Sequence, residues 1–218
     1  MLYFYIGIMQ KIKIIFAFIG MLTSSLSVSA QSNHLRNYKK LSKPEKIWVI
    51  AHPFKAQKAF CITKEVMHDV DSIKYSGVIG TDNNGGKLDA FKHAYWMAKL
   101  TIAVGSKKAK KLGIAHEKGN RLQFQKHQLE ESILPDSVSS KMDLYNNEQG
   151  ICIATYCKIP SSSMLKIELL KALTEGKLVI IKKDGNGNYL TMDGIIIPIT
   201  QWIGKWDIPK CLIASNKN

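Results

Sequence analysis

Acidic residues are scarce in this chain: 17 Asp and Glu stand against 31 Lys and Arg in 218 residues, a net charge of +14. A balance of that sign disfavours cationic partners and favours anionic ones. Phospholipid headgroups, nucleic acid and acidic glycans all qualify, and charge alone does not choose among them. Also missing are an internal repeat and a low-complexity tract, which sets aside solenoids and extended disordered arrays. No HExxH pattern is present, and the four cysteines, Cys61, Cys152, Cys157 and Cys211, have the spacing of neither a CxxC redox pair nor a zinc knuckle. An even cysteine count in an exported chain leaves disulfides open, with three pairings. Cys152 and Cys157 sit on diverging faces of any continuous helix, so a bond between them requires the helix to end there.

The first thirty residues are organised as a leader. Lys11 and Lys13 precede an apolar run, Ile14–Leu22, and a small-residue step ends Val28-Ser29-Ala30. The run falls well short of the roughly 20 residues that a bilayer span takes, so the expectation is a signal peptide cut near Ala30 and export without a stable transmembrane anchor. Gln31 follows the cut and no cysteine lies near it, which argues against a lipid anchor. The leader contributes two of the fourteen net charges, leaving +12 on residues 31–218. That length suits one domain. It is expected over 47–218, after an irregular lead at 31–46 that holds Asn33, Asn37, Ser42 and Pro44.

The expected fold class is mainly α: a helical bundle with a small C-terminal antiparallel β-meander at about 178–200. Helical spacing runs from Lys55 to Tyr75. After the turn Asp82-Asn83-Asn84-Gly85-Gly86, the residues Leu88, Phe91, Tyr95, Ala98 and Ile102 recur at steps of three and four, predicting a buried amphipathic helix over Lys87–Val104. A second helix is expected from Ser106, as its cap, to about Asn120; others from Gln123 to Ser132, Ser137 to about Ala154 and Met164 to Leu173. The strands are expected at Leu178–Ile181, Tyr189–Thr191 and Ile195–Ile197, with Trp202 and Trp206 docking them on the helices. Lys107, Lys108, Lys110 and Lys111 crowd the first turns of a helix, where the dipole favours acids. Such a run usually faces water, and an anionic partner is the other reading.

Three polar clusters interrupt core-like helical sequence. Asp89 and His93 are four apart and share a helix face, so they can meet one ion or one substrate atom, or Asp89 can orient His93 as a base. His116 and Glu117 point about 100° apart, so one contacts the site and the other supports it. Asp143, Asn147, Gly150 and Ala154 form one stripe, with Asn146 beside it. A bundle would turn these groups inward, a mix that suits a divalent metal, with Asp89, His93, His116 and Asp143 as candidate ligands, or a metal-free general base. A buried hydrogen-bond network tying the helices together is the competing reading. His52, His68 and His127 stand outside any constellation.

At these clusters the chain resembles an uncharacterised bacterial domain family with the pattern D-A-F-R-H-A-Y-W, a His-Glu step and M-D-L-x-N-N-x-x-G, over roughly residues 80–180. Members of that family resemble secreted proteins and terminal modules of polymorphic toxins, which implies a hydrolytic effector role. Carried over by position, the shared core comprises Asp89, His93, Trp96, His116, Glu117, Asp143, Asn146 and Asn147. Lys92 stands where the pattern has Arg, and Ile151 follows Gly150 where Arg is expected; lysine keeps the charge but loses the bidentate fork.

The leading expectation is therefore an exported hydrolase acting on an anionic ester, phospholipid or phosphodiester, with Lys92 and Trp96 binding substrate. The alternative is a non-enzymatic binding protein whose polar core is structural and whose basic face holds an anionic envelope component. A glycan hydrolase with paired carboxylates would leave the histidines unexplained.

Overall fold

The computed structural model describes residues 38–127, 134–157 and 161–217. A compact unit spans Ser42–Asn218; of the unit before it, ending at Leu41, only residues 38–41 are described. The expected leader and residues 128–133 and 158–160 lie outside the described residues, as does the second half of the helix expected at 123–132.

Helix α1 (Lys43–Ala51) opens with a capping box: Ser42 accepts from the Glu45 amide while the Glu45 carboxylate accepts from the Ser42 amide at 2.8 Å. A helix thus already occupies the end of the stretch expected to be irregular, because Ser42, Pro44 and Glu45 are a helix start rather than a loop. Helix α2 (Pro53–Ser76) follows after His52 and is ended by Gly77 in the left-handed region, φ +69°. Helix α3 (Lys87–Val104) is the centre of the molecule. Every residue from Leu88 to Leu100 is buried, so the expected apolar stripe is a helix enclosed on all sides. The cap of helix α4 (Ser106–Gln125) is Gly105, not Ser106, and the helix runs five residues past the expected stop at Asn120. Helix α5 (Ser137–Tyr156) starts from Asp136, whose carboxylate accepts from the Val138 and Ser139 amides. Because α5 is continuous across Cys152, that residue and Cys157 cannot pair; all four cysteines are free. Helix α6 (Ser162–Thr174) ends before Gly176 at φ +74°. Among the described residues no helix is long and apolar enough to cross a membrane.

The small antiparallel sheet is present, but its pairing differs from the expected meander. Strand β1 (Val179–Ile181) pairs with β2 (Leu212–Ala214), near the end of the chain. The segment between contributes only single bridges, Lys183 to Tyr189 and Leu190 to Ile196, and a short helix α7 (Ile199–Trp202). Trp202 meets Tyr189 edge-on at 5.1 Å, and Trp206 lies against Phe124 of α4 at 5.2 Å, so both tryptophans dock this segment as expected. The same segment holds the start of α5: the Trp206 carbonyl accepts from the Ser137 amide at 2.8 Å, and buried Lys210 donates to Asp136 at 2.8 Å while lying 3.6 Å from the Tyr189 ring centroid.

Helices α3 and α5 approach almost backbone to backbone. A β-carbon added to Gly150 would fall 2.0 Å from the Ala94 carbonyl oxygen, a distance that forces the helices apart. Gly150→Ala is expected to cost about 3 kcal/mol, roughly 10 °C in Tm, whereas Gly185→Ala, where an added methyl meets nothing within 4 Å, leaves Tm almost unchanged. Thermal melts of the two variants beside the wild type check this.

Candidate functional site

The close approach of α3 and α5 brings their polar residues into one place. On α3, Asp89, Lys92 and His93 occupy positions i, i+3 and i+4 and share a face. Opposite, α5 presents Asp143 and Asn147. His93 Nε2 lies 3.5 Å from Asp89 Oδ1 and 3.4 Å from Asp143 Oδ1, so two carboxylates from two helices converge on one imidazole nitrogen. The glycine turn before α3 completes the support of Asp89. Gly85, at φ +83°, turns its amide to donate to Asp89 Oδ2 at 2.7 Å, and its carbonyl accepts from the Ile181 amide of β1 at 2.8 Å. Lys92 Nζ sits 2.9 Å from Asp89 Oδ1, the same oxygen that faces His93.

The His93 pKa is pushed well below the ordinary imidazole range. Burial is the largest cause, followed by the positive charges of Lys92 and His116, and the Asn147 side chain beside the ring opposes them. The ring is therefore neutral near pH 7, with a lone pair to offer. Its Nδ1, and both amide atoms of Asn147, are buried and make no hydrogen bond of good geometry among the described residues. Although enclosed, the cluster reaches the surface: Asp89, Lys92, His93 and Asp143 each keep between 8 and 10% of their side-chain exposure.

Of the residues expected at the site, the structure brings together Asp89, Lys92, His93, Asp143 and Asn147. It turns others elsewhere. Asn146 points to the sheet, its amide nitrogen donating to the Val179 carbonyl at 2.9 Å and its oxygen accepting from the Val179 amide at 3.0 Å. Trp96 is buried, with its indole N–H donated to Thr63 at 2.9 Å. His116 faces Glu45 of α1, Nδ1 to Oε1 at 3.0 Å, and meets the Trp96 ring edge-on at 5.4 Å. Its charge lowers the His93 pKa. Glu117 is buried and accepts from Asn120 at 3.2 Å. His116 therefore falls outside the metal-ligand set in which the sequence reading placed it. That reading gave no site role to Glu45 or to Gly85, which it placed only in a turn. The first was signalled by the Ser42-x-x-Glu45 capping box, while nothing local ties the second to Asp89.

Among the described residues, Asp89, His93 and Asp143 form the group able to hold a metal ion, their donor atoms lying within 4.8 Å of one another. Two carboxylate oxygens and a neutral imidazole nitrogen match the preferences of hard to borderline divalent cations, with ligand distances near 2.1 Å. The same groups could also act without metal, by proton transfer through His93.

Residues 46–177, from α1 to the end of α6, match the model of the domain of unknown function DUF6973. The chain belongs to this family. The matched span contains the Asp89, His93 and Asp143 cluster, while the sheet and the segment that docks through Trp202 and Trp206 lie beyond it. No curated protein and no solved structure matches the chain.

Two outcomes separate the supporting residues from the cluster. Asn146→Ala strands the Val179 amide and carbonyl, and is expected to cost about 2 kcal/mol in a denaturant titration. For Glu45, burial alone would raise the carboxyl pKa, but the hydrogen bond and charge of His116 and the bonds to Ser42 outweigh it, so the net shift is downward. A carboxyl depressed in the folded state stabilises above its unfolded pKa and loses that contribution as pH falls. The wild type is thus expected to exceed Glu45→Gln in stability at pH 6, and the difference to close below about pH 4, as followed by urea unfolding across pH.

Proposed function

We propose that this chain is an exported hydrolase of anionic esters, a phosphodiester or phospholipid among them, working through a divalent cation held by Asp89, His93 and Asp143. The observation that carries this reading is the convergence of two carboxylate oxygens on the nitrogen of a buried, neutral imidazole. With the ring proton on Nδ1, Nε2 is a third electron-pair donor beside two carboxylate oxygens, a set that a divalent cation fills; with the proton on Nε2, the ring donates to one of the carboxylates instead. When bound, the cation would polarise the scissile group and lower the pKa of a water. In such a hydrolysis the water oxygen would bond to the phosphorus or acyl carbon as the ester bond breaks, and the proton lost by the water would pass to the leaving oxygen.

The protein's own residues do the positioning. Gly85 and Lys92 fix the Asp89 carboxylate. Lys92, next to the cluster, meets the negative charge of the substrate, and Asn147 orients the ring of His93. Lys11, Lys13, the run Ile14–Leu22 and the step at Ala30 support export before the chemistry, which also suits an effector released by a bacterium.

One observation favours the second reading, a structural network. Both oxygens of Asp89 already have protein partners in Gly85 and Lys92. Metal analysis and calorimetry of the full chain with Mn²⁺ and Zn²⁺, wild type beside His93→Ala and Asp143→Asn, decide between them, with turnover of nitrophenyl phosphodiester and ester substrates measured in parallel. The hydrolase reading expects a bound cation, weakened about a hundredfold or more in each variant, and chelator-sensitive turnover. No cation, no turnover and variants that merely melt lower would leave only the network.

A further inference from the structure

The lysine run at the start of α4 has no part in the cluster, and the fold places it beside a second unusual feature. Helix α1 lies on α4, with the Trp48 indole donating to the Lys108 carbonyl at 3.0 Å. Helices α2 and α3 are antiparallel: Tyr95 pairs with Asp69 and Lys99 with Glu65, so the last turn of α3 lies beside the first half of α2. One side of the bundle therefore gathers α1, the first half of α2, the last turn of α3 and the first turns of α4. Four large apolar side chains there face solvent: Ile47 at 59% exposure, Ile50 at 69%, Phe54 at 95% and Ile102 at 60%.

The charges around them have one sign. Lys43, Lys55, Lys58, Lys107 and Lys111 are exposed on the same elements. From Tyr38 to Lys64 the sole acid is Glu45, which turns inward to His116, and from Lys99 to His116 there is none. The neighbouring Glu148 of α5 is paired with Lys110 at 2.7 Å. Exposed aliphatic and aromatic groups ringed by lysines are the composition of a surface that lies in the headgroup region of a bilayer.

We infer that this side of the bundle docks on an anionic phospholipid membrane, with Ile50 and Phe54 entering the acyl boundary and the α4 lysines meeting headgroup phosphates. A second copy of the chain would place like charges against each other, and a nucleic acid would satisfy the lysines while leaving the isoleucines in water. The inference is independent of the hydrolytic reading, although a membrane address would bring a phospholipid-directed site to its substrate.

The test is co-sedimentation of the full chain with phosphatidylcholine vesicles made with and without phosphatidylglycerol. Ile50→Ser/Phe54→Ser and Lys107→Glu/Lys111→Glu are compared with the wild type, so the shared N-terminal segment cancels. The expected result is binding that requires phosphatidylglycerol, falls on the order of tenfold or more in each double variant and weakens with salt. Since the replaced side chains are exposed, circular dichroism melts should match the wild type. Hydrogen exchange on the wild type should locate vesicle protection in residues 47–58 and at the start of α4. Equal binding by all three proteins, equal binding to neutral vesicles, or protection confined to other segments would overturn the inference. So would retention by duplex DNA that depends on Lys107 and Lys111 but not on Phe54.

Discussion

The contact between Gly150 of α5 and the Ala94 carbonyl of α3 governs the rest of the structure. A helix surrounded on every side, as α3 is, normally keeps its neighbours at the 8 to 10 Å set by side chains. Here one neighbour has no side chain at the crossing, and the two backbones come together. Short polar groups on either side of the crossing then reach one another. Asp143 and His93 are not long residues; at ordinary spacing a carboxylate on α5 and an imidazole on α3 would need water between them. The glycine turns two separate polar faces into one cluster with separations near 3.4 Å.

Around that cluster the charges are arranged unevenly. Asp89 is held on both oxygens, by a backbone amide and an ammonium, and so is the fixed member. His93 is constrained by its packing, with Lys92 and His116 biasing it towards neutrality. In a low-dielectric setting such fixed partners cost little reorganisation when charge develops nearby, which is the condition under which buried polar groups assist a reaction instead of only joining helices.

Much of this was legible in the sequence, for a definite reason. The four-residue step from Asp89 to His93, the stripe through Asp143, Asn147 and Gly150, and the boundaries of α3 rest on helical periodicity, which is local. What escaped were partners far apart along the chain. Asn146 is adjacent to Asn147, yet it faces Val179, because a helix turns about 100° between neighbours. His116 is separated from the cluster by its bond to Glu45, 71 residues earlier. Strand β2 was invisible because Leu212–Ala214 is three residues long and only its partner β1 makes it a strand. The hairpin-like sequence between them suggested a meander where the chain forms only isolated bridges.

The segment after α6 has a bearing on the cluster that its distance in sequence conceals. Through the Trp206 carbonyl and Lys210 it closes the first turn of α5, and through Val179 it grips Asn146, one turn from Asp143. Asp143 is thus suspended from a helix whose orientation is set by residues beyond the span that defines the family. Divergence within this trailing segment can retune the angle and spacing of the cluster while its donors stay the same.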